Sequence, residues 1–391
     1  MSTIKPSHTV LTHLTSDQEQ LALDPNKIKS NEIWLLIDSQ TFGGIETHVI
    51  ELALGLIEHQ KQVRVVLLTK FTQEPPIIQR LTQLQIPFCN LCDLAPNGSN
   101  VLSQIRQAVD QHRPCLIHAH GYKASIMSKV TKLSLVKPNK LYQVSTYHAG
   151  ETPTGKVWLY DFLDRYSGFI SNHSLVVSDK IKDKIPSQTT LLNNFISIPE
   201  SPSSLFASGF VKDVKDVKDV KEDTTTIYDI GFVGRLSHEK AADRFVTLAN
   251  SHPSHRFHIF GDGPERQILE NNPPTNLTFH GHQSCMDYAW QIIDVLVIPS
   301  RYEGLPMAAL EAMVRGIPVI AAAVGNLPQL IEHQTSGYIA KNETELNTCL
   351  KNWLRLSLKG KTAMSHKARN TIVERYSPQA VIPQILDCYD C

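Results

Sequence analysis

Two glutamates, Glu303 and Glu311, stand eight positions apart in RYEGLPMAALEAMVRGIPVIAA, residues Arg301 to Ala322. The stretch predicts a helix that starts at Pro306, whose missing N–H would have no partner there, and stops at Gly316 and Pro318. The start is a loop-to-helix junction, and its free N–H groups and positive dipole end suit an anion, with Gly304 letting the backbone come close. One carboxylate therefore stands beside an anion site and the other along the helix. Taken alone, the pair reads first as a buried helix with two solvated acids, so the other polar motifs must decide.

Those motifs are cationic and glycine-rich. GFVGRLSHEK puts Arg235 and Lys240 just past the C-terminal edge of a strand, where open α/β sheets bind ligands. Beside the helix start at Glu303 to Ala308 they could neutralise a diphosphate. A glycine pair, Gly43 and Gly44, opens a helix in DSQTFGGIETHV and is expected to permit positive φ and close approach to a phosphate. Neither this loop nor FGDGPER, which carries Gly263 but has Arg266 where a third glycine would stand, matches the dinucleotide fingerprint, and hydride transfer is disfavoured. No paired acids of the DxD type sit among the phosphate groups, so no metal ligands are assigned.

These groups need a scaffold, and the apolar pattern supplies one. Short apolar runs alternate with amphipathic helices, the pattern of parallel α/β sheets. The strands read as 33–37, 63–68, 115–120, 141–147, 175–178 and 189–194, then 228–234, 256–261, 277–281, 294–300, 317–322 and 337–340. The fold class that follows is α/β with two doubly wound Rossmann-like domains. A Ser/Pro-rich stretch from Ser201 to Ser208 and the repeat VKDVKDVKDVKED from Val211 to Asp223 separate them. A three-residue period carries its valines around a helix instead of stacking them, so the repeat reads as a solvated insertion.

Composition narrows the field further. The chain has 391 residues, and its 38 Lys and Arg balance 38 Asp and Glu, so no overall field points to nucleic acid. No run reaches the roughly 18 apolar residues of a membrane span, and Met1 to Ser30 lacks the ~7–15-residue apolar core of a signal peptide, so the expected compartment is the cytosol. Seven cysteines suggest free thiols. The CxxC pairs Cys89/Cys92 and Cys388/Cys391 could share a zinc ion only if the C-terminus folds back onto the first half. Between Asp110 and Glu151 there is no acid, and KASIMSKVTKLSLVK, from Lys123 to Lys137, resembles a basic amphipathic helix. It fits either a core-packed helix with a solvated basic face or peripheral contact with an anionic membrane.

The order GGIETHV, GRLSHEK, FGDGPER, DVLVIPSRYEGLPMAALEAMVRGIPVIAA and Gly325 resembles the retaining nucleotide-sugar glycosyltransferases of family 4, which have the GT-B fold. The resemblance implies that Arg235 and Lys240 hold the donor diphosphate, Glu303 lies by the donor sugar and Glu311 by the ribose. Backbone groups of Gly304, Leu305, Pro306, Met307 and Ala308 would cradle sugar and phosphate, with Gly263 on the donor side. Gly44 would approach the donor phosphate across the cleft, Glu46 would contact the acceptor, and His148 in STYHAG would stand near the reacting carbon. His118 and His120 in LIHAHG are expected on the cleft wall.

The implied organisation is an N-terminal extension (1–30), an acceptor-side domain (31–200), a linker with the VKD insertion (201–226), a nucleotide-sugar-binding domain (227–376) and a C-terminal helix crossing back (377–391). The implied reaction moves a sugar from a UDP- or GDP-linked donor to a saccharide or lipid-linked acceptor with retention, without a cofactor. A nucleotide-sugar epimerase, an inverting transferase of the same fold and a non-catalytic binding subunit are the alternatives. Ala241 after Lys240 and Phe195 after Asn194 depart from the usual glycines.

Overall fold

The computed structural model describes residues 31–135, 141–148, 156–177, 182–199, 226–283 and 285–389. The N-terminal extension, nearly all of the linker with its VKD repeat, and Cys391 lie outside them. Two parallel sheets form, each with helices on both faces. The first has seven strands in the order β3-β2-β1-β4-β5-β6-β7. They are β1 (Ile33–Ile37), β2 (Val63–Leu67), β3 (Phe88–Asn90), β4 (Leu116–His120), β5 (Tyr142–Tyr147), β6 (His173–Val176) and β7 (Thr189–Leu191). The second has six in the order β10-β9-β8-β11-β12-β13: β8 (Asp229–Val233), β9 (Arg256–Phe260), β10 (Leu277–Gly281), β11 (Val295–Ile298), β12 (Val319–Ala322) and β13 (Gly337–Ala340).

Parallel strands covered on both faces must be apolar throughout, and β1, IWLLI, is buried at every position. In β2 the one charged residue, Arg64, is buried against Glu32 with Nε 2.9 Å from Oε2. Every strand expected from the pattern forms, with most ends unchanged or trimmed by up to three residues, while the strand expected at 175–178 starts two residues earlier, at His173. Only the three-residue edge strand β3 was not anticipated, because FCN carries no alternation long enough to read.

In each sheet the strand order reverses between the first and fourth strands, β1 and β4 in one, β8 and β11 in the other, leaving a crevice at the C-terminal edge. The helix Pro378–Leu386 packs on the helix Gly44–Glu58, and Val381, Ile382 and Ile385 enter the first domain's core. Gly55 makes room for this, since a Cβ there would meet Ile382. Cys89, Cys92, Cys285, Cys349 and Cys388 are free thiols, as expected, and enter no metal-ligating cluster among the described residues, whereas Cys115 is disulfide-bonded.

The described part of the Lys123–Lys137 segment is core-packed, as one of its two readings had it, but lacks the solvated basic face of either. Residues Tyr122–Ser134 are helical, but three of the lysines turn inward. Lys123 donates to Asp38 at 2.7 Å, Lys129 is buried against Asp164 at 2.7 Å, and Lys132 donates to the Ile170 carbonyl and the Asn172 side chain, both at 2.6 Å. No broad solvated basic face remains on this helix.

Candidate active site

The crevices of the two sheets face one another and enclose a cleft of about 1720 Å³. It is lined by His148, Arg235, Lys240, Glu303 and Glu311, by Gly44, Glu46 and Gly263, and by the whole run Gly304 to Ala308. Residues separated by more than 250 positions in sequence thus meet on one surface, each carried by a loop at a strand's C-terminal edge or by the first turns of a helix.

The anion site expected from the sequence falls at the start of the helix Met307–Val314. Pro306 is its N-cap, with φ −70° and ψ 130°, one position before the helical role expected for it. The N–H groups of the first turn, including those of Met307 and Ala308, have no intrahelical acceptor and stand at the cleft. The helix ends as expected, with Gly316 at φ +74°. Glu303 sits four residues ahead of Met307, its side chain only 6% exposed. It accepts from Lys240 Nζ at 2.8 Å on each carboxylate oxygen and from Ser300 Oγ at 2.8 Å. Lys240 therefore spends two of its three donors on Glu303, which was not anticipated. Arg235 is exposed to the cleft and makes no side-chain hydrogen bond or ion pair among the described residues.

The glycines act differently from expectation. Gly43, the N-cap of helix Gly44–Glu58, has φ −160°, and Gly44 is helical, so neither needs the left-handed region. Close approach is what they supply: a Cβ on Gly44 would lie 3.7 Å from Met307 Cγ, so the two helix starts nearly touch across the cleft. Similarly, a Cβ on Gly304 would lie 3.1 Å from the His148 carbonyl oxygen. Gly263 leaves its Cβ space to the Leu236 carbonyl, which braces the loop that carries Arg235. Gly325, at φ +56°, packs directly on the Glu303 and Gly304 carbonyls. Ala241, which replaces the usual glycine, adopts φ +56° as the N-cap of helix Ala242–Ser251 and is fully buried.

On the opposite wall, burial pushes the His148 imidazole well below its ordinary pKa, and nearby His48 and His118 add to this, so it is neutral near pH 7. It shares a 3.2 Å hydrogen bond with His120. His118 and His120 are not cleft-wall residues: they are fully buried behind His148. There His118 hydrogen-bonds Thr146 Oγ1 and Tyr389 Oη, each at 2.6 Å. Strand β4 is covered on both faces, and this directs its histidines into the interior. Burial also raises the pKa of Glu46, opposed by hydrogen bonds from its own amide, Ser39 and Gly43.

Three cleft residues were missed in the sequence. Glu51 accepts from Ser197 N at 2.7 Å and Ser197 Oγ at 2.5 Å. Arg315 donates to the Glu311 carbonyl at 2.9 Å, and Arg80 also lines the cleft. Burial raises the pKa of Glu311, Arg315 counteracts this, and Glu51 reinforces it. The i,i+4 spacing of Glu311 and Arg315 was a usable signal; the cross-domain approach of Glu51 left none.

Two Rossmann-like units enclosing a cleft at their C-terminal edges define the GT-B fold. Residues 42–190 match the family described as Glycosyltransferase Family 4, and residues 213–371 match that described as Glycosyl transferases group 1. The chain belongs to the family 4 glycosyltransferases of GT-B fold. It is similar to the sulfoquinovosyl transferase of Arabidopsis thaliana, 33% identical over 108 residues, a match spanning 27% of this chain and 21% of that one. A longer match, 22% identical over 296 residues, spans 70% of this chain and 74% of the Escherichia coli UDP-Gal:alpha-D-GlcNAc-diphosphoundecaprenol alpha-1,3-galactosyltransferase. Among solved structures, Anabaena HepE in complex with UDP and glucose superposes with a TM-score of 0.71 at 18% identity, covering 91% of this chain and 98% of that one.

Proposed function

We propose that this protein transfers a sugar from a UDP- or GDP-linked donor to a hydroxyl of a saccharide or lipid-linked acceptor, with retention of anomeric configuration and without a metal. The observation that carries the reading is the convergence of an unpaired cation, Arg235, and the open start of helix Met307–Val314 on the cleft that also holds Glu303 and His148. Breaking the anomeric C–O bond leaves negative charge on the diphosphate, and donors fixed in advance around that charge lower the barrier. Arg235 and the first-turn amides take this role. Lys240 keeps one N–H for phosphate while it orients Glu303 beside the sugar. Glu311, with Arg315 next to it, accepts from the ribose diol. Neutral His148 can bind a sugar hydroxyl at the reacting carbon, and Glu46 faces the acceptor. Front-face attack, with the leaving phosphate taking the acceptor's proton, accounts for retention without a covalent glycosyl-enzyme.

A nucleotide-sugar panel read by thermal shift tests the donor assignment, because a ligand at 100 times its dissociation constant adds about 2.7 kcal/mol. Chelator-treated protein should then form an acceptor glycoside whose anomeric configuration matches the donor. Loss of turnover in chelator with recovery in Mg²⁺, conversion of the donor without acceptor, or an inverted product each overturns the corresponding part.

We propose membrane contact through apolar side chains instead of the lysines. No helix among the described residues is long and apolar enough to cross a membrane. Yet Trp158, Leu159, Tyr160, Phe162, Leu163 and Tyr166 are all exposed on helix Lys156–Tyr166, which packs on Tyr122–Ser134 and begins eight residues after His148. Aromatic side chains with polar tips suit the headgroup boundary. With Lys123, Lys129 and Lys132 engaged internally, binding to vesicles should survive high salt and fall sharply in Trp158→Ser/Phe162→Ser. Self-association through this face in place of vesicle binding would overturn the proposal.

A further inference from the structure

One cluster of metal-ligating side chains occurs among the described residues, and the transfer chemistry above leaves most of it unused. It comprises His48 on helix Gly44–Glu58, His120 at the end of β4 and His148 just beyond β5. One ligating nitrogen from each lies within 4.8 Å of the others. His120 Nδ1 and His148 Nε2 are 3.2 Å apart. Two nitrogens on one tetrahedral zinc ion, with bonds of about 2.0–2.1 Å, stand roughly 3.3 Å apart.

A further observation points to a ligand: His48 Nδ1 is buried without any hydrogen-bond partner, a costly state for a polar atom in a packed interior. His48 and His120 are buried, whereas His148 reaches the cleft, so ligand exchange is open on that side. The donors are three imidazoles with no carboxylate in the cluster, which suits a zinc-class ion and not Mg²⁺ or Ca²⁺, whose ligands are oxygens.

We propose that His48, His120 and His148 bind a zinc-class divalent ion, and that the bound ion inhibits transfer by holding His148. The inhibitory half rests on the reading of His148 as a group that meets the donor sugar; the binding half does not. Inhibition by zinc is compatible with transfer that itself needs no metal.

The test titrates tag-free, chelator-treated full-length protein with Co²⁺ and then Zn²⁺. We expect one equivalent of Co²⁺ to bind with the ligand-field absorption of a nitrogen-ligated, low-coordinate site, and Zn²⁺ to displace it. Zn²⁺ should inhibit turnover over the same concentration range, while Mg²⁺ neither binds nor inhibits. In His48→Gln, Co²⁺ affinity should fall at least tenfold and Zn²⁺ inhibition should weaken in step, with metal-free turnover retained. His120→Asn, read by Co²⁺ binding alone, provides a second variant should His48→Gln fail to fold. The proposal is overturned by absence of one-equivalent binding, or by Co²⁺ affinity unchanged in both variants. Binding through the cluster with turnover unaffected overturns the inhibitory half. Donor-induced thermal shift on the same samples distinguishes these failures from failure of the transferase reading.

Discussion

At the scale of single residues, Glu303 and Glu311 occupy different electrostatic settings and should fail differently. Glu303 is buried, holds Lys240 through both oxygens and stands before the helix start, where interactions can strengthen as the sugar departs. Glu303→Ala should lower kcat by about 10²-fold or more with little change in donor affinity, the pattern of an interaction made in the transition state. Glu311 lies a turn inside the helix, and in the proposed reading it meets the ribose, a part of the donor that changes little during reaction. Glu311→Ala should weaken donor binding by about 10- to 100-fold, the worth of a charged hydrogen bond, with saturated turnover nearly intact. Donor affinity by calorimetry and kcat at saturating donor separate the two; equal effects on both quantities in both variants would refute the division. Arg235→Ala should cost about 10²–10³ in rate, as for loss of one charge-stabilising donor. Arg235 gives a cleaner reading than Lys240, whose removal also strands the buried Glu303 carboxylate.

At the scale of elements, the strands were legible because a parallel sheet buried on both faces demands continuous apolar runs, and IWLLI or DVLVIPS permits little else. The site motifs were legible as residue types at strand ends. Pairings that depend on how two loops meet were not, the Lys240–Glu303 ion pair foremost. Gly325 belongs to this second kind: its missing side chain leaves room for the Glu303–Gly304 backbone. Gly325→Ala combines a left-handed residue with a backbone clash, and should reduce kcat more than tenfold through displacement of Glu303 while circular dichroism stays unchanged. Native-like turnover in this variant would show that the loop tolerates displacement.

The opposite, N-terminal edge of the second sheet makes a contrasting prediction. There the Asp229 amide donates to Asp294 Oδ2 at 2.9 Å, and burial, helped by the Asp229 carboxylate, pushes the Asp294 pKa up to about 7. A carboxyl raised in the folded state contributes its full stability below the unfolded pKa near 4 and loses it as pH rises through about 7. Asp294→Asn keeps the acceptor and removes the charge. It should be nearly neutral at pH 4 and stabilising by on the order of 2–4 kcal/mol at pH 8, with transfer unaffected. Denaturant melts at the two pH values check this, and a pH-independent difference would contradict the assignment.

At the scale of the whole molecule, the two domains are joined across the cleft by reciprocal side-chain ties. Asn194, following the first sheet, donates to the Leu305 carbonyl at 2.7 Å in the donor loop. Asn326, following β12, donates to the Val177 carbonyl at 3.0 Å just beyond β6, and its own amide donates to the Gly304 carbonyl at 2.8 Å. Neither asparagine was assigned a tie from sequence, because each partner is a backbone carbonyl more than 100 positions away. A neutral buried hydrogen bond contributes about 1 kcal/mol net, so removing both ties shifts the closed state by about 2 kcal/mol, roughly 30-fold. Apparent donor affinity scales with the fraction of molecules in which both walls of the cleft are in place. Asn194→Ala/Asn326→Ala should therefore weaken donor binding by about tenfold or more and enlarge the donor-free radius of gyration in small-angle scattering. Saturating donor should restore both the compact radius and most of kcat, which separates lost closure from a damaged reaction centre. An unchanged radius with weakened binding would instead assign the asparagines to local support of the donor loop.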